Sequence, residues 1–155
     1  MTALDDDLDR IMAVMGAAFD PAFGEAWNRR QVEDALVMGN CHYGLVFAGE
    51  SCAGFYLSRS GVDEEELLLL AVTPEFRGEG RGAQLLERFL AGARARGAER
   101  ALLEMRRGNS AEHLYLRRNF VQIGLRPNYY RGANGVQIDA LTFACELHPN
   151  LQAST

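Results

Sequence analysis

After an apolar run at residues 67–72, the chain reads Thr73-Pro74-Glu75-Phe76-Arg77-Gly78-Glu79-Gly80-Arg81-Gly82-Ala83 and then becomes amphipathic. Three glycines at alternate positions let backbone N–H groups approach a ligand without a Cβ in the way, and a helix start adds partial positive charge. A phosphate or pyrophosphate is the natural guest of such a turn. Arg77 and Arg81 add full charges, although a plain glycine-rich connection with surface arginines would be written in the same letters. A P-loop does not fit, because Gly82-Ala83-Gln84 lacks the Lys and Ser or Thr of that loop. A dinucleotide site does not fit either: Gly78-x-Gly80-x-Gly82 is not G-x-G-x-x-G, and it lies in mid-chain.

The turn requires a strand before it and a helix after it. Residues 65–73 are apolar through their centre, as in a strand buried on both faces, and Pro74 ends the run. Leu85, Leu86, Phe89, Leu90 and Ala93 mark the helix, which closes with Arg94, Arg96 and Gly97. Residues 101–105 then form a short strand, and Asn109-Ser110-Ala111-Glu112 has the form of a capping box opening a helix with Leu114 and Tyr115. Asn119 is a left-handed stop for it. Upstream, Leu8, Ile11, Met12, Met15 and Phe19 predict a helix behind the acidic run Asp5 to Asp7, and Asn28-Arg29-Arg30-Gln31 caps a second that stops at Gly39-Asn40. Residues 42–48 and 51–59 read as a hairpin through Gly49-Glu50, and residues 121–129 and 136–146 as two closing strands.

The order of these motifs resembles the GNAT superfamily of N-acetyltransferases. The acetyl-CoA signature (Arg or Gln)-x-x-Gly-x-(Gly or Ala) is matched by Arg77, Gly80 and Gly82 directly after a strand. Glu104-Met105-Arg106, Asn109, Leu114-Tyr115, Asn119-Phe120, residues 126–130 and Asp139-Ala140 resemble elements of the bacterial ribosomal-protein alanine N-acetyltransferases. The resemblance covers about half the chain, residues 65–147. It implies an α/β fold in one domain over residues 1–155, with a mixed sheet of six to seven strands and about four helices. The first strand would be short or absent, since only Thr2 to Leu4 are left for it.

It also implies acetyl-CoA as co-substrate, held by Leu70, Ala71, Val72, Arg77, Gly78, Glu79, Gly80, Arg81, Gly82, Ala83 and Asn109. The strand at residues 67–72 would splay from its neighbour to pair with the pantetheine arm. Glu104 matches the family glutamate that receives the amine's proton, and Tyr115 the tyrosine that protonates the departing thiolate. Each also has a plainer reading: Glu104 as a strand-end acid paired with Arg106 or Arg100, Tyr115 as packed core, Asn109 as a cap. Glu66 is the alternative base, while Glu64 and Glu65 read as solvated turn residues. Trp27 and Phe23 match a loop that lines the acceptor site, although a lone tryptophan is equally a packing anchor. Of Tyr129 and Tyr130, strand alternation would send one to the site. The chain departs from the pattern at Gly108, Asn119 and Arg131, where serine, glycine and proline are usual, and Asn109 lies six residues before Tyr115, one fewer than expected.

Composition narrows the partners. Lys plus Arg number 16 against 21 Asp plus Glu, for a net charge of −5, which argues against a general nucleic-acid binder. Cys41, Cys52 and Cys145 are scattered, and His42, His113 and His148 show no metal spacing, so no metal is expected and transfer is direct rather than through an acetyl-cysteine. The 67–72 run is far too short to span a membrane, and the acidic N-terminus is no signal peptide, so the expectation is a cytoplasmic monomer or homodimer. The favoured acceptor is a protein N-terminal amine, with a ribosomal protein first. A small amine, or an acyl-CoA-binding module without turnover, stay open.

Overall fold

Asp5 and Asp6 occupy the first turn of helix α1 (Ala3–Ala18), where carboxylates favour the positive end of the helix dipole. The structure is a computed structural model that describes residues 3–147. Ala3 and Leu4 are already helical, so a first strand has no room among the described residues, and Thr2 lies outside them. A short 3-10 turn at Pro21–Phe23 follows, capped by Asp20, and leads to α2 (Arg29–Leu36). The predicted capping box is formed in full: Gln31 N donates to Asn28 Oδ1 at 2.9 Å, and Asn28 N to Gln31 Oε1 at 2.7 Å.

The sheet has six strands in the order β1-β2-β3-β4-β6-β5, with β1 Cys41–Ala48, β2 Ser51–Ser60, β3 Glu64–Val72, β4 Arg100–Arg106, β5 Val121–Arg131 and β6 Gln137–Glu146. All neighbours are antiparallel except β3 and β4, which are parallel and therefore need a crossover. That crossover is α3 (Arg81–Ala95), which buries Leu85, Leu86, Phe89, Leu90 and Ala93, the stripe read from the sequence. The short α4 (Glu112–Leu116) joins β4 to β5 on the same face, and Asn119 takes the predicted left-handed conformation, φ 68°. α1 and α2 cover the other face through Ile11, Met15 and Val32.

One irregularity positions everything that follows. Along β2 and β3 the register steps between Leu57 and Ser58: Ser58 pairs with Leu67 but Leu57 pairs with Leu69, leaving Leu68 over. The extra residue switches faces, so Leu67 packs in the α3 core whereas Leu69 and Ala71 pack under α1 and α2. A bulge also bends its strand and increases the local twist. The β3–β4 ladder runs from Glu64–Arg100 to Leu67–Leu103 and stops there, at the bulge.

Glu65 corrects the expectation of a solvated turn residue. It is fully buried, facing α3, where both carboxylate oxygens accept from Arg96, at 2.8 and 2.6 Å, and Oε2 also accepts from Ser58 Oγ at 2.8 Å. Burial pushes its carboxyl pKa up, but the bonds from Arg96 and Ser58 outweigh this and hold it below the ordinary value of 4.5. A lowered folded-state value means that this stabilisation is present above 4.5 and is lost as pH falls through the folded value. Arg96→Ala strands the buried charge and is expected to cost about 3 kcal/mol in urea unfolding at neutral pH. The double variant Glu65→Leu, Arg96→Met should recover most of that loss.

Candidate active site

Gly78 and Gly80 adopt φ of 82° and 85°, the left-handed region that glycine enters without strain, so the turn after β3 needs glycine at both positions. Gly80 is the N-cap of α3 and brings no side chain to bond the first-turn amides, which leaves those donors open to a ligand. A cavity of about 410 Å³ lies against this turn. Of the residues expected to hold a cofactor, Leu70, Ala71, Val72, Arg77, Gly78, Gly80, Arg81, Gly82 and Asn109 line it, together with Tyr115. Glu79 and Ala83 do not, and Glu79 instead pairs with Arg81 at 2.6 Å.

The two arginines are engaged as well as charged. Arg77 donates through Nε to the Val72 carbonyl at 2.9 Å and through a terminal nitrogen to the Ala18 carbonyl at 2.9 Å. It thereby ties the turn to the C-terminal end of α1, whose last carbonyls lack helical partners. Arg81 donates to the Phe76 carbonyl at 3.3 Å and lies over the Phe76 ring. The electrostatics of the cradle thus rest on the open amides and on guanidinium groups fixed in place.

Beyond Leu67 and Leu103 the strands part, and β3 has no ladder partner on its β4 side. Glu104 is the first β4 residue past the parting. Its Oε2 forms an ion pair with Arg126 Nε at 2.9 Å and accepts from Thr142 Oγ1 at 3.3 Å, so its partner is Arg126 and neither of the two arginines expected. Those two are used elsewhere, Arg106 with Glu25 and Arg100 with Glu64. Glu104 lines a second cavity of about 290 Å³, and Tyr115 lines both cavities. The Tyr115 ring packs edge-on against Phe120, so it is a core residue too. Burial, with added repulsion from Glu25 and Tyr130, raises the pKa of its hydroxyl far above a free phenol's, which keeps it protonated.

Glu25 is a site residue that the sequence reading does not name, although it lies in the loop of Phe23 and Trp27. It lines both cavities, accepting from Arg106 Nε at 3.0 Å and from Asn109 Nδ2 at 3.2 Å, while Arg106 lies 3.7 Å over the Phe23 ring. Asn109 does not cap α4, whose N-cap is Ala111. Its Oδ1 accepts from Ala111 N at 2.9 Å, an Asx turn, and its amide faces Glu25.

Trp27 is both things expected of it, lining the second cavity and packing under α1 and α2. Both Tyr129 and Tyr130 line that cavity, against the expectation from strand alternation. The β5–β6 register breaks between Arg126 and Tyr130, and Asn128 has φ 55°, so simple alternation fails there. Burial, with Glu25 and Glu104 adding to it, pushes the Tyr130 hydroxyl up to about 12.

The loop before α2 and the β5–β6 hairpin, which both contribute to the lining of this cavity, touch each other beside it. A Cβ at Gly24 would overlap the Arg131 carbonyl oxygen, and one at Gly132 the Ala22 carbonyl oxygen. Among the described residues no His, Cys, Asp and Glu group could hold a metal, and no helix is long and apolar enough to cross a membrane.

The family model described as an acetyltransferase (GNAT) domain matches residues 39–122, more than half of the chain. The chain belongs to the GNAT acetyltransferase family, and its six-stranded sheet with four helices is that family's fold. It is similar to the ribosomal protein bS18-alanine N-acetyltransferase of Haemophilus influenzae, 33% identical over 61% of this chain and 64% of the relative. The same enzyme of Salmonella typhimurium is 35% identical over 63% and 66%. The match thus spans slightly less than two thirds of these relatives' length. The crystal structure of the Escherichia coli ribosomal-protein-S18-alanine N-acetyltransferase superposes with a TM-score of 0.81 at 25% identity, over 94% of this chain and 90% of that one. Ard1 of Thermoplasma volcanium superposes at 0.78 with 22% identity, over 92% and 93%, and supports the fold alone.

Gly132→Ala tests the loop contact. Its φ of −85° suits any residue, so the cost is the clash with the Ala22 carbonyl alone. It is expected to cost about 2 kcal/mol in urea unfolding and to open residues 21–27 to limited proteolysis. Gly135→Ala, with φ 75° but open space at its Cβ, should leave that proteolysis unchanged.

Proposed function

We propose that this chain is an acetyl-CoA-dependent N-acetyltransferase acting on the N-terminal α-amine of a protein, with a ribosomal protein as the first candidate acceptor. The observation that carries it is the parting of β3 and β4 immediately before Glu104, with Tyr115 at the wall shared by two cavities. The residues present fit acetyl-CoA. Left-handed glycines and open first-turn amides suit a pyrophosphate, and the unpaired edge of β3 suits an amide-bearing arm. Acetyl-CoA supplies an activated acetyl thioester, with which only a neutral amine reacts.

In this reading Glu104 takes the proton of the entering ammonium, directly or through water. The ion pair with Arg126 and the bond from Thr142 both lie at Oε2, and in this reading Oε1 is the oxygen offered to the acceptor. As the new C–N bond forms and the C–S bond breaks, Tyr115 delivers its phenolic proton to the departing sulfur, and the second proton shed by the acylated nitrogen restores the phenol. Asn109, held by Glu25, lines the donor cavity beside it. The contact between the two loops beside the cavity favours a chain end, which threads inward, over a side chain in mid-chain. The relatives named for alanine N-acetyltransfer to bS18 support the choice of a protein N-terminus.

Thiol release from acetyl-CoA is expected only with peptides whose N-terminus is free. Glu104→Gln and Tyr115→Phe should each lower kcat at least about tenfold. Release with small amines but with no peptide would overturn the protein acceptor. Because the Tyr115 hydroxyl is raised, it stays protonated over the working range, so the Tyr115 step should cause no fall in kcat between pH of about 8 and about 10. A fall there that vanishes in Tyr115→Phe would contradict that assignment.

A further inference from the structure

Glu66 stands on β3 one rung before the parting, in register with Leu102, and Glu104 stands two residues further along β4. Strand geometry puts their Cα atoms about 8 Å apart, and both side chains line the acceptor cavity. Besides Glu25 and Glu104, the charged residues lining that cavity are Glu66 and Arg59 of β2, whose guanidinium donates to Glu66 Oε1 at 2.8 Å. Glu25 and Glu104 are held at the reacting end by Arg106 and Arg126. The side chains of Arg59 and Glu66 fasten nothing of that kind, because among the described residues they cap no helix and bond only to each other.

A pair this open to water adds little stability, so exchanging a partner costs little. The exchange is lopsided. The Arg59 side chain is 52% exposed and returns readily to water, whereas Glu66 is 35% exposed and remains on the cavity wall. Glu25 and Glu104 are already matched by Arg106 and Arg126, so Glu66 is the lining carboxylate whose counter-ion an incoming cation displaces most readily. We propose that Glu66, with Arg59 as its exchangeable counter-ion, selects acceptors that carry Lys or Arg at the second or third residue. The inference rests on the reading of the chain as a protein N-terminal acetyltransferase. With the α-amine at Glu104, the side chains of the next two residues are those that come within reach of Glu66.

The test measures kcat/KM for thiol release with peptides that differ only in having Arg, Ser or Glu at the second or the third residue. Wild-type protein should favour Arg over Glu by at least about tenfold at one of these positions. In Glu66→Gln that ratio should fall to within about threefold, and in Arg59→Gln the KM for the Arg peptide should drop because Glu66 has no competing partner. Melting curves confirm that both variants fold. An unchanged ratio in Glu66→Gln overturns the inference. So does a Glu66→Gln protein that is folded but inactive with every peptide, since Glu66 would then be the base. Wild-type turnover blind to charge overturns this inference alone, whereas absence of turnover with any peptide overturns the acceptor reading beneath it.

Discussion

The structure depends on one surplus residue. Leu68 has no partner across β2, and the bulge it makes bends β3 away from β4 just where their ladder ends, at Leu67 and Leu103. A continuous parallel sheet would have bonded the two strands to their ends and left no opening. Parting them gives up a few ladder hydrogen bonds, each worth about 1 kcal/mol net, and leaves an edge of β3 free to bond a ligand instead. The same step in register turns Leu69 and Ala71 toward α1 and α2, so one bulge both opens the site and joins the two cores beside it.

What surrounds the opening is held by arginines that act through geometry as much as charge. Arg77 fastens the glycine turn to α1, Arg106 fastens the loop before α2 to the end of β4, and Arg96 fastens α3 to the strand below the bulge. A planar guanidinium with several fixed donors suits this work, because it can bond two backbone carbonyls or both oxygens of a carboxylate at once. Phe23 against Arg106 adds apolar area to the same joint. The two cavities therefore share a wall, made of Glu25, Asn109 and Tyr115, that belongs to three different segments.

Local chemistry was legible in the sequence and long-range pairing was not. The glycine turn, the Asn28 capping box, the α3 stripe and the left-handed Asn119 each depend on residues within a few positions of one another, and each formed as read. Glu65 was misread because three consecutive glutamates look solvated, while the group that buries the middle one is Arg96, 31 residues away. Glu25 was missed for a similar reason, since its partners lie 81 and 84 residues downstream. The partner of Glu104 depended on the broken register of β5, and neither the bulge at Leu68 nor the break after Arg126 leaves a mark in a run of leucines or an Arg-Pro-Asn stretch.

The proposed α-amine acceptor asks less of its base than a lysine would. A protein α-amine with a pKa near 8 is roughly one-tenth neutral at pH 7, so freeing it costs about 1.4 kcal/mol. A lysine near 10.4 costs about 4.6 kcal/mol, and would ask for a strongly basic partner in a dry pocket. Glu104, whose Oε2 lies against a guanidinium and a hydroxyl, is the carboxylate proposed to meet the acceptor amine. In the proposed reading an amine that is already partly neutral asks least of that carboxylate, and the touching loops favour a chain end that bears one. The amine's own pKa and the close approach of the loops at the glycines at positions 24 and 132 thus support the proposed acceptor on separate grounds.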